Sequence, residues 1–175
     1  MRQRGANAAA LAVLAASMCV PGRALAYEDQ ITLGLGVGYA HAISPAYGHA
    51  PGVITDLSAS VGLSQAWTLR GRLAYAAHPE APALHAVLGA GELLYLVDIV
   101  EFVPYAGLGL GVFGGTWGAD AAIVPAAHVV GGCDYLLTRA LALEIDLRAV
   151  LWPASLEGDR AYFAAVLSGV LMLDR

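Results

Sequence analysis

Ala140-Leu141-Ala142-Leu143-Glu144-Ile145-Asp146-Leu147-Arg148-Ala149-Val150 alternates without a break. Leu141, Leu143, Ile145, Leu147 and Ala149 fall on one parity, and Glu144, Asp146 and Arg148 on the other. A strand sends successive side chains to opposite faces, so this segment has one wholly apolar face and one charged face. Trp67 to Tyr75 repeats the pattern: Trp67, Leu69, Gly71, Leu73 and Tyr75 oppose Thr68, Arg70, Arg72 and Ala74. In Asp56 to Ser64, Leu57, Ala59, Val61 and Leu63 oppose Asp56, Ser58, Ser60, Gly62 and Ser64. All three segments read as strands.

Outward from these three, the same periodicity yields eight strands, at 30–41, 53–64, 67–77, 83–96, 100–113, 122–135, 140–150 and 160–173. Each is near the ~10 residues that cross a bilayer when tilted. The connections alternate. Gln65-Ala66, 97–99 and 136–139 are short, whereas 42–52, 78–82, 114–121 and 151–159 are longer and hold most of the proline, glycine and histidine. Short turns on one rim and long loops on the other describe an up-and-down antiparallel barrel.

Composition places this barrel in a membrane. Hydrophobic residues make up 58% of the 175-residue chain and charged residues 13%, yet clean helical spans are missing. Residues 102–119 carry no charge but include Pro104 and glycines at 107, 109, 111, 114, 115 and 118. Glycine at every second position weakens a helix and lines one face of a strand. Backbone N–H and C=O groups find no partner in hydrocarbon, so such a sheet persists only if its first and last strands pair. The expected fold is all-β: an eight-stranded antiparallel up-and-down transmembrane β-barrel over residues 27–175.

Residues 1–26 read as a cleavable signal peptide. Arg2 and Arg4 precede an apolar run from Ala8 to Val20, and Pro21 to Ala26 closes on Ala24-Leu25-Ala26. The apolar run is too short to be a spanning helix, which needs ~20 residues. Cleavage leaves 149 residues with six arginines, no lysine and fourteen acidic residues, a net charge of −8. An acidic surface argues against nucleic acid as a partner, since phosphate binding needs a basic face. Cys133 remains as a single cysteine, so an intrachain disulfide is excluded.

With the polar parity turned inward, Asp56, Arg70, Arg72, Glu92, Glu101, Asp134, Glu144, Asp146, Arg148 and Arg160 share the lumen. An eight-stranded barrel is just wide enough for side chains to fill, and buried charges persist there only when paired. The leading expectation is a salt-bridged plug and a structural or membrane-integrity role; a narrow polar path is the alternative. Inward glycines, Gly34, Gly36, Gly38, Gly107, Gly109 and Gly111, make room for bulky neighbours such as Tyr105 and Tyr162 or ease a tightly curved sheet. A cavity for a small apolar ligand is their other reading. Tyr39, Trp67, Tyr75, Tyr95, Tyr135 and Trp152 fall near strand ends, where aromatic rings anchor at the membrane interface.

Catalytic signals are weak. Gly109 to Gly114 fits G-x-G-x-x-G, but no helix or acidic ribose partner follows. Nothing in the spacing of His128 and Ser168 singles them out as a hydrolase pair; no enzyme activity is expected, and a lipid-modifying membrane enzyme stays open as the alternative. His41, His49 and His78, with Glu80, would form a metal site only by meeting on the long-loop rim, and loop histidines are ordinarily solvated. The expectation is therefore neither metal nor cofactor.

Phe102-Val103-Pro104-Tyr105-Ala106-Gly107-Leu108-Gly109-Leu110-Gly111 resembles the "PYxGxGxG" strand of small outer-membrane barrels of the OmpA-like, OmpX-like and OmpW-like group. Gly131-Gly132-Cys133-Asp134-Tyr135-Leu136-Leu137 and Leu141 to Arg148 are similar to that group's "GxDYxLxxxLxLxxxxR" hairpin. The resemblance implies residence in the outer membrane of a Gram-negative cell, with outer-membrane lipid and the outer-membrane assembly machinery as partners and a monomeric state. Members of the group usually end in an aromatic residue; here the last residues are Leu171-Met172-Leu173-Asp174-Arg175. Two further readings stay open: a barrel that binds or passes small apolar molecules, and a soluble periplasmic lipocalin-like barrel with the leucine face inside.

Overall fold

The computed structural model describes residues 30–44, 48–79, 84–97, 101–117, 120–151 and 161–173. The proposed signal peptide, Glu80, Trp152 and Arg160 lie outside the described residues. Eight strands form one closed antiparallel sheet in sequence order: β1 (Ile31–Ser44), β2 (Gly48–Gly62), β3 (Trp67–His78), β4 (Leu84–Leu96), β5 (Phe102–Trp117), β6 (Asp120–Leu136), β7 (Leu141–Leu151) and β8 (Ala161–Leu173). Closure is between β1 and β8, in a ladder running from Ile31↔Leu173 to Ile43↔Ala161. This pairing satisfies the outer edges of the first and last strands, as hydrocarbon demands.

The sheet faces the way the charged parity requires. Leu35 is 69% exposed and Leu110 is 73% exposed, whereas Asp56, Arg70, Arg72, Glu92, Glu144, Asp146 and Arg148 are all buried. A soluble ligand-binding barrel has the reverse arrangement, so the lipocalin-like reading is overturned. The leucine, valine and isoleucine side chains on the outward parity of the strands, such as Leu35, Leu57, Leu110 and Ile145, form the outer surface, where acyl chains solvate them.

Two of the expected long loops are largely strand. β1 continues to Ser44 and β2 starts at Gly48, so most of 42–52 is paired; β5 and β6 take up most of 114–121. Proline and glycine read as loop signals here, but the topology tolerates them. Pairing of β2 with β3 starts only at Val53, and pairing of β6 with β7 only at Ala127. Pro51 and Pro125 therefore lie in extensions paired along one side, where a missing N–H costs no ladder bond on the other. Gly48 opens β2 at φ 69°, a left-handed conformation that glycine adopts without penalty.

Candidate functional site

The lumen is where the chemistry of this chain is concentrated. Asp146 on β7 is its hub and is completely buried. Its Oδ2 accepts hydrogen bonds from Arg70 Nη2 at 2.9 Å, Arg72 Nη2 at 2.9 Å and the Tyr105 hydroxyl at 2.9 Å. Its Oδ1 accepts from Arg148 Nε at 2.6 Å. Arg70 also donates through Nε to Glu92 at 2.5 Å and through Nη1 to Glu144 at 2.9 Å, using its guanidinium as a three-way fork. Asp56 closes the ring, accepting from Arg72 Nη1 at 2.8 Å and Arg148 Nη2 at 2.6 Å. His128 Nε2 donates to Glu92 Oε1 at 2.8 Å.

Register explains how residues so distant in sequence meet. Arg70 and Glu92 are direct cross-strand partners on β3 and β4. Gly132 stands opposite Asp146 on β6 and β7, and a β-carbon on Gly132 would meet the Tyr105 phenol. The missing side chain thus leaves the gap through which Tyr105 reaches Asp146. Gly109 does the same for His128, whose imidazole occupies the space of the absent β-carbon. Gly34 and Gly36 face the hydroxyls of Ser58 and Ser168, while Gly38, Gly107 and Gly111 press against the carbonyls of Ala165, Leu93 and Gly89. These stripes allow close approach between neighbouring strands and leave no room for a ligand.

Most of the expected lumen residues converge, with exceptions. Glu101 is exposed in the turn before β5 and joins nothing in the lumen: it has the inward parity, but Phe102 opens the strand, and the first inward side chain is Val103. Arg160 falls outside the described residues. Asp134 is buried, yet no guanidinium bonds to it; it is the cross-strand partner of Glu144. Asp134 Oδ1, Glu144 Oε1 and Thr68 Oγ1 have no hydrogen-bond partner, and all three residues line one cavity of about 30 Å3. That is room for a water molecule. His128 and Tyr105 complete the network and were not expected in it. The inward parity of β6, read from Asp134 back to His128, is the signal that identifies His128.

Apolar clusters flank the network towards both rims, joined at the short-turn end by Thr32, Ser60, Thr68 and Asp134. Towards the long-loop rim, Ile54, Leu88, Phe113, Val150 and Tyr162 pack with alanines from five strands. Tyr162 makes edge contacts with Phe113 and with His78, at centroid distances of 5.2 and 5.8 Å. Towards the short-turn rim, Leu94, Leu96, Val103, Val130, Val170 and Met172 pack together. Between Ile54 and Phe113 the remaining space is about 10 Å3, against the ~300 Å3 or more of a small-molecule site.

The aromatic residues sort into two levels on the outside. Trp67 stacks edge-on against Tyr95, and Phe102 lies against Tyr135, near the short turns. Tyr39 and Tyr75 mark the other level. Trp67 and Tyr75 are eight residues apart on β3, about 26 Å of strand at ~3.3 Å per residue, or roughly 20 Å of height after a ~40° tilt. This matches the apolar band of a membrane barrel, about 25 Å tall with aromatic girdles at its edges. Trp152 lies outside the described residues.

His128 and Ser168 do not form a catalytic pair. His128 is opposite Val150 and Ser168 is opposite Glu144, six residues apart along β7. That corresponds to about 20 Å of strand. His78 is turned inward and donates from Nδ1 to the Ala50 carbonyl at 2.8 Å, so it does not meet His41 and His49 on the rim.

No protein-family model and no curated protein sequence matches this chain. Solved structures do. Neisserial surface protein A aligns with a TM-score of 0.70 at 16% identity, covering 83% of this chain and 97% of its own. Ail, the attachment invasion locus protein of Yersinia pestis, aligns at 0.59 with 9% identity, covering 83% of this chain and 99% of its own. The outer membrane protein OprG of Pseudomonas aeruginosa aligns at 0.58 with 9% identity, covering 85% of this chain and 98% of its own. With a closed eight-stranded sheet, a lipid-type exterior between aromatic girdles and these structural neighbours, the chain has the fold of the small outer-membrane β-barrels.

Proposed function

We propose that this chain resides in the outer membrane as a closed wall element with a structural, membrane-integrity role, and that it does not conduct. The observation that carries this reading is the filled lumen. Arg70, Arg72 and Arg148 tie β2, β3, β4 and β7 together through Asp56, Glu92, Glu144 and Asp146, with apolar clusters towards both rims. An ion entering from the long-loop rim meets a packed apolar constriction before it reaches the paired charges. Outer-membrane lipid is then the main partner, the assembly machinery acts during insertion, and the barrel works as a monomer.

Reconstitution into a planar bilayer tests the reading. The expected record is a quiet baseline after insertion, with insertion verified by the heat-dependent mobility shift of the barrel on a detergent gel. Reproducible, steady single-channel steps would overturn it. Passage of small apolar molecules through the lumen is disfavoured by the same packing, since the space between Ile54 and Phe113 is about 10 Å3.

A further inference from the structure

We propose that His41 and His49 form a binding site for one divalent transition-metal ion of the zinc, nickel or copper class on the outer face of the β1–β2 hairpin. His41 Nε2 and His49 Nδ1 face each other at 3.1 Å. Two nitrogens bound to a tetrahedral zinc at about 2.0–2.1 Å lie about 3.3 Å apart, so the two nitrogens already stand near the required separation, and each ring has to tilt to turn its lone pair from the other nitrogen towards the ion. Register produces this bite: Ile43 pairs with His49 and His41 with Pro51, which brings the two imidazoles diagonally together on adjacent strands.

The second observation is the partner on the far side of His41. Its Nδ1 lies 2.8 Å from the Tyr39 hydroxyl. When Nδ1–H donates to that oxygen, Nε2 is left with a bare lone pair aimed at His49. This is the support that histidine metal ligands commonly receive, a hydrogen bond to the other ring nitrogen that fixes tautomer and orientation. In the absence of metal, one of the two facing nitrogens carries the proton that bridges them; with Nδ1–H of His41 committed to Tyr39 that proton is on His49 Nδ1, and it moves to Nε2 of the same ring when the ion binds.

The location suits an exchangeable ion. His49 belongs to the part of β2 that extends past the pairing with β3, and both imidazoles are accessible to solvent. No group of three or more histidine, cysteine or carboxylate side chains among the described residues is placed to hold a metal. The described residues thus supply two ligands, and water or anionic headgroup oxygens complete the shell. Imidazole favours zinc, nickel and copper over calcium and magnesium, which select oxygen ligands.

Titration of the refolded barrel in detergent micelles with zinc chloride, followed by calorimetry, tests the site. One zinc per barrel is expected. Its affinity should fall at least about tenfold in His41→Gln and in His49→Gln, and about tenfold in Tyr39→Phe. His85→Gln, which removes a histidine held by Tyr75 at 2.7 Å on another strand pair, should bind as the parent does. Calcium chloride should give no binding heat. The proposal is overturned if the parent barrel takes up no zinc, or if His41→Gln and His49→Gln bind it unchanged. The heat-dependent mobility shift confirms that each variant is folded.

Discussion

Gly109 on β5 and His128 on β6 are direct cross-strand partners, and the His128 imidazole lies where a β-carbon of residue 109 would sit. The glycine is thus a condition for the His128 to Glu92 hydrogen bond. Gly109→Ala must push the ring away from Glu92 or spread β5 from β6. Overpacking of this kind costs about 1–3 kcal/mol. Gly91→Ala, whose new methyl would enter open space on the neighbouring strand, should be close to neutral. Urea unfolding in phospholipid vesicles, read by gel mobility, distinguishes the two.

Asp146 and Asp134 are both buried carboxylates of the lumen, and their removal should have opposite consequences. Asp146→Asn leaves Arg70, Arg72 and Arg148 short of their shared acceptor, and breaking a buried network in this way costs about 3–5 kcal/mol. Asp134→Asn removes a buried carboxyl that no guanidinium pairs and that faces Glu144. It should change stability by less than about 1 kcal/mol, or raise it. A loss from Asp134→Asn as large as that from Asp146→Asn would show that the pairing described for Arg70 is wrong.

Leu110 sits on the outer face of β5 between the two aromatic levels. Leu110→Arg should destabilise the barrel in vesicles by about 2–4 kcal/mol, the penalty for arginine near a bilayer midplane. Thr116→Arg, near the end of the same strand, should cost ~0–1 kcal/mol. Equal penalties at the two positions would contradict the placement of the apolar band.

Trp67 lies on the girdle near the short turns. With Trp117 and Trp152 replaced by phenylalanine, its fluorescence should be quenched more strongly by lipids labelled near the headgroup than by lipids labelled at the chain ends. The opposite order would place this level in the hydrocarbon centre.

The barrel was legible in the sequence because period two survives wherever one face meets lipid and the other a packed lumen. Glu144, Asp146 and Arg148 declared the inner face of β7, and that parity extends correctly to Asp56, Arg70, Arg72 and Glu92. Failures occurred where local signals compete with topology. Pro51 suggested a loop, but it sits in a stretch paired on one side only. Glu101 has the right parity and the wrong height, because alternation fixes a side chain's face and leaves the end of the strand undetermined. Tyr105 and His128 were missed as members of the network because their places depend on Gly132 and Gly109, which lie on neighbouring strands and come into view only with the register.

Pairing of Ile31 with Leu173 brings both ends of the described chain to the rim that carries the short turns at 63–66 and 137–140. The barrel is therefore nearly a ring in connectivity as well as in cross-section. A short linker from residue 173 back to residue 30 would let the chain be reopened between Thr138 and Arg139 while every ladder of the sheet is kept. Order of synthesis and order around the wall are thus separable in this protein, and a circularly permuted gene can begin at β7.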